Sequence, residues 1–173
     1  MIRGNDLFGH GVRERLILPG GKLVTMVFCL ETFANAENIY NEVFQKDTDI
    51  CGILRELSQR KQTAVMALAY AAAQVMNHDL TFESFLSELY QGRKMEYLAV
   101  LTVQLERMFY DTGGSGNWED EPERFQWEDY YKQAKRLGLS DEEFWAATPK
   151  KIAALIVDQE ALDEAKRLTE LFV

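Results

Sequence analysis

Residue types that commonly break and form bonds are scarce in this 173-residue chain, and their spacing assembles no familiar reaction centre. The two histidines, His10 and His78, lie far apart, and no serine stands in a GxSxG elbow, so a nucleophile–base pair lacks raw material. Cys29 and Cys51 form no CxxC pair and adjoin no histidine cluster, which indicates neither zinc nor a disulfide framework. The segment Asp47-Thr48-Asp49-Ile50-Cys51-Gly52 matches in part the start of a calcium loop, where alternate carboxylates converge on the ion. Its fifth position is Cys51 and its twelfth is Ser58 instead of a bidentate glutamate, so it reads as a turn between helices. Gly9-His10-Gly11 lacks the third glycine and the preceding strand of a dinucleotide fingerprint. His78-Asp79 falls between two predicted helices, where Asp79 helps to cap the second. Carboxylate pairs such as Glu142-Glu143 lie in polar stretches and read as solvated helix surface. The expectation is a protein that is not an enzyme, with no catalytic residues, cofactor or metal.

The aromatic residues point instead to binding. Trp118, Trp127 and Trp145 all lie beyond residue 110, with Phe125, Tyr130, Tyr131, Phe144 and Phe172 beside them. A segment that short buries aromatic surface with difficulty. Two readings stay open: the rings dock onto the rest of the chain, or part of that surface is kept for a partner, since Trp and Tyr dominate binding hot spots. Charge narrows the partner class. With 19 Lys and Arg against 28 Asp and Glu, the net charge of −9 repels phosphate backbones and anionic lipid, so neither nucleic acid nor membrane is expected. The longest apolar run, 64–73, is half of the roughly 20 residues a bilayer span needs. The first residues carry no signal-peptide pattern, which makes the cytoplasm the expected compartment.

Positioning these rings requires a scaffold, and 47% apolar residues suffice to build one. Residues 12–18 and 22–28 flank Pro19-Gly20-Gly21 and read as a β-hairpin. Its apolar residues Leu16, Leu18, Val24, Met26 and Phe28 must rest on something else, because a lone hairpin is barely stable. Thr32 is the expected cap of a helix carrying Phe33, Ala36, Ile39, Tyr40 and Val43. Asp49 opens a second helix, and a third over 62–76, apolar nearly all round, belongs at the centre of a bundle. Thr81 opens a fourth that Gly92 ends, and a fifth covers 94–109.

The composition then changes. Thr112-Gly113-Gly114-Ser115-Gly116 leads into the acidic Glu119-Asp120-Glu121-Pro122-Glu123, which is linker chemistry. Net charge is −2 over 1–110 and −7 over 111–173. The expected division is an N-terminal hairpin and helical bundle over 1–110, a linker over 111–124 and a helical C-terminal module over 125–173. Within that module a helix over 127–137 ends at Gly138, Ser140 and Glu143 form a capping box, and Thr148-Pro149 starts a last helix reaching residue 171. The fold class is thus mainly α, with one small hairpin.

The order of these parts, with Glu31-Thr32-Phe33-Ala34-Asn35-Ala36-Glu37-Asn38-Ile39 and Phe85-Leu86-Ser87-Glu88-Leu89-Tyr90-Gln91-Gly92, resembles the tail assembly chaperones of long-tailed bacteriophages. The most distinctive stretch lies within 127–152. There Gly138-Leu139-Ser140-Asp141-Glu142-Glu143-Phe144-Trp145 followed by Thr148-Pro149 is similar to the C-terminal extension of such chaperones. The resemblance implies a non-enzymatic factor in the host bacterial cytoplasm. It would coat the tape measure protein, keep it soluble, help recruit tail tube protein and then leave. Self-association is left open. It also implies that a ribosomal frameshift near residues 113–123 could add the extension. The expected client surface is Trp145, Ile152, Leu155, Ile156 and Leu162, with Phe144 internal. The alternative is a small cytoplasmic helical adaptor or regulator of an unrelated bacterial protein.

Overall fold

The computed structural model describes residues 12–90, 94–111 and 126–159. Strands β1 (Val12–Ile17) and β2 (Leu23–Phe28) pair antiparallel, with Leu16 opposite Val24 and Glu14 opposite Met26. Gly21 takes φ +83 in the turn, and its N–H donates to the Leu18 carbonyl at 2.8 Å. Alternation sends Leu16, Leu18, Val24, Met26 and Phe28 inward, where all are buried, while Ile17 and Leu23 face outward. The hairpin therefore rests on the helices that follow it.

Those helices are α1 (Leu30–Glu42), α2 (Ile50–Ser58), α3 (Gln62–Gln74), α4 (Phe82–Tyr90), α5 (Lys94–Asp111), α6 (Trp127–Arg136), α7 (Asp141–Ala146) and α8, described over 149–159. The chain is mainly helical with one small hairpin. Side-chain caps set four of the eight described helix starts. Asp49 accepts the Gly52 N–H at 3.0 Å, Thr81 the Ser84 N–H at 3.2 Å, and Thr148 the Lys151 N–H at 3.3 Å. Ser140 and Glu143 form the expected reciprocal box.

Thr32 departs from its expected role. Helix α1 starts earlier, with Cys29 at the cap, and Thr32 occupies the third helical position. Its hydroxyl is fully buried and donates to the Val27 carbonyl at 2.5 Å. Thr32 thus ties the end of β2 to the start of α1, because a buried hydroxyl must find a partner and the strand carbonyl is within reach.

Helix α3 runs through the centre. Ala64, Ala67, Ala69, Ala71, Ala72 and Ala73 are fully buried on it, and their small side chains let β2, α1, α2 and α5 approach closely. Helix α5 turns Leu98, Leu101, Thr102 and Leu105 inward.

The described part of the C-terminal segment does not stand apart. Ala134, Leu139, Phe144, Ala147 and Ile152 belong to the same buried cluster as the hairpin and α1 to α5. A backbone bond from the Leu30 N–H to the Ala147 carbonyl, 3.0 Å, ties the start of α1 to the end of α7. Of the expected linker only Asp111 is described, and it ends α5; Gly92, Leu162 and the end of the last helix also lie outside the described residues. Among the described residues no helix is long and apolar enough to cross a membrane.

Candidate protein-binding face

Helices α6 and α7 bring four rings into a continuous run. Tyr131 meets Phe144 edge-on at 5.1 Å between ring centroids, Phe144 meets Trp145 at 4.9 Å, and Trp145 lies 5.7 Å from Trp127. Local signals place them. Gly138, at φ +84, ends α6 and turns the chain back, and the Ser140 box starts α7 at once.

Glu37 on α1 anchors the run. One of its carboxylate oxygens accepts the Trp127 indole N–H at 2.8 Å and the other accepts the Ile50 backbone N–H at 2.7 Å. Burial pushes the Glu37 carboxyl above the usual carboxylate range, against the downward pull of these two bonds, and nearby Asp49 adds to the rise. A single side chain so connects α1, the start of α2 and α6.

Phe144 is buried, whereas Trp145 remains 37% exposed. Trp145 borders an open cleft of about 560 Å³ between α1 and α7, lined also by Glu31, Ala34, Asn35, Glu142 and Ala146. Ala34 and Ala146 contribute no bulk, which leaves room beside the ring.

The other expected client residues sit differently. Ile152 is fully buried, so it belongs to the core that seats α8 and presents nothing to a partner in this conformation. The reason is its placement one turn into α8, directly after the capped start at Thr148. Leu155 and Ile156 are half-buried and pack against the same core, while their neighbour Val157 is 63% exposed. Leu162 lies outside the described residues.

A second apolar face was missed from sequence. Val100 and Val103 on α5 are exposed, and beside them Arg60, Gln62, Val65, Leu98, Ala99 and Thr102 line a shallow groove of about 230 Å³. Its signal was available: residues 98–101 are apolar in unbroken succession, which is more than a single buried helical stripe uses.

Cys29 and Cys51 are free thiols, both buried, and burial pushes the Cys29 thiol above its ordinary pKa. Among the described residues no group of three or more His, Cys, Asp or Glu could hold a metal ion. What the arrangement offers is a partly exposed indole, packed against Trp127 and Phe144, beside an open cleft. Comparison with protein-family models, with curated proteins and with solved structures found no match.

Proposed function

We propose that this chain is a bacteriophage or prophage tail assembly chaperone, which binds the tape measure protein in the host cytoplasm, keeps it soluble and helps recruit tail tube subunits. The observation that carries the reading is Trp145, a partly exposed residue whose indole packs against Trp127 and Phe144 and which also lines an open cleft. The chaperone-like segment within 127–152 supplies both that ring and the capping box that positions it. A tape measure protein exposes long apolar helical stripes before the tube encloses it. Many moderate contacts along such a client give avidity while each one stays weak enough to release.

The test is co-expression with the product of a neighbouring long, helical reading frame. Wild-type protein should hold that client in the soluble fraction and co-purify with it. Trp145→Ala should reduce capture on the order of tenfold, as expected when an aromatic anchor worth about 1.4 kcal/mol or more is truncated. Leu155→Asp with Ile156→Asp should abolish it, provided circular dichroism shows the variant folded. Unchanged capture by folded variants removes these residues from the client surface. A genome with no such reading frame nearby favours the adaptor alternative.

A further inference from the structure

We infer that the cleft between α1 and α7 receives an arginine side chain from the partner protein, an inference that rests on the reading of this face as a protein-binding one. One lining residue is Trp145, 37% exposed. The rim carries Glu31 from α1 and Glu142 from α7, and neither has an ion pair or a side-chain hydrogen bond among the described residues.

Their neighbours are occupied. On α7, Asp141 is engaged by Lys135 and Tyr131, and Glu143 is used in the capping box with Ser140. Elsewhere Glu14 pairs with Arg107, and Glu56 with Lys46 and Lys61. Glu142, exposed, is the carboxylate of the first turn of α7 with no partner among the described residues, and it borders the cleft that Glu31 borders from the opposite helix.

A purely apolar occupant would leave the two rim carboxylates without a counter-charge and gain nothing from them. An acidic occupant would be repelled by the rim and by a chain of net charge −9. A cation with a flat, weakly hydrated head complements the indole, the two carboxylates and the two alanines together. The guanidinium stacks on the indole, its forked N–H groups reach carboxylates on two sides, and its aliphatic stem lies over Ala34 and Ala146. Lysine offers a compact, strongly hydrated point charge that uses the ring face less well.

The test uses two synthetic leucine- and alanine-rich helical peptides that differ at one central position, arginine in one and citrulline, its neutral isostere, in the other. Their binding to the full chain is followed by fluorescence anisotropy. The arginine peptide should bind about tenfold more tightly, a preference that about 0.5 M salt diminishes. Glu31→Gln with Glu142→Gln should erase the preference while leaving the circular dichroism spectrum unchanged. Equal binding of the two peptides, binding of neither, or a preference that survives in the double variant overturns the inference. Capture of the long helical client by wild-type protein is scored in parallel: its loss defeats the chaperone reading, whereas capture without an arginine preference defeats the arginine site alone.

Discussion

Glu37 shows how one side chain can hold two regions together at an electrostatic cost. Its carboxylate satisfies the Trp127 indole and the Ile50 amide, yet burial disfavours its charge. Glu37→Gln keeps the shape but offers a single acceptor, so one donor is left unmatched at a cost of about 1–2 kcal/mol. The pH dependence has a definite sign. Because the folded chain holds the Glu37 proton more tightly than the unfolded chain, the carboxyl contributes most to stability in acid and loses that contribution as pH rises through its raised pKa. The glutamine variant does not titrate. Urea midpoints from about pH 4 to about pH 8 should therefore show a wild-type advantage that is widest in acid and narrows upward. An advantage independent of pH would contradict this account of Glu37.

At the scale of elements, two helix ends solve the same problem with different residues. Gly138 ends α6 at φ +84, with the Leu139 N–H on the Ala134 carbonyl at 3.1 Å and the Gly138 N–H on the Lys135 carbonyl at 3.0 Å. Arg60 ends α2 at φ +56 with the same pair of bonds, Lys61 to Glu56 at 3.0 Å and Arg60 to Leu57 at 2.7 Å. A side chain in this left-handed region costs about 1–2 kcal/mol. Gly138→Ala should accordingly lower unfolding stability by about that much, and Arg60→Gly should raise it by somewhat less, since glycine also frees the unfolded chain. Chemical denaturation of both variants checks the opposite signs. The first end was readable in the sequence because glycine marks it; the second was not, because nothing in an arginine side chain signals a left-handed backbone.

The described residues on both sides of the compositional break share one core. Phe144 and Ile152 are buried in the same cluster as Phe28, Leu68 and Leu101. All three tryptophans lie beyond residue 110, so their fluorescence reports on the C-terminal segment, while far-UV circular dichroism is dominated by the bundle. The two signals should follow a single coincident unfolding transition. Phe144→Ala should lower both together, by about 3–5 kcal/mol for the loss of a fully buried ring. A fluorescence transition that precedes the circular dichroism transition would show that the halves do not share their stability.

Element order and type were determined by the sequence alone, because the signals act within a few residues: the hairpin glycines, the caps at Asp49, Thr81, Ser140 and Thr148, and the helical spacing of apolar side chains. Thr32 was misplaced as a cap because its hydroxyl is used by a strand carbonyl that local spacing does not reveal. Tertiary structure alone decided which apolar faces are spent on the core and which remain open. Ile152 and Trp145 look alike as apolar members of adjacent helices, yet one is sealed and the other borders a cleft with Glu31 and Ala34, far away in the chain. Burial depends on what arrives opposite a helix face, and the residues that arrive opposite α7 come from α1.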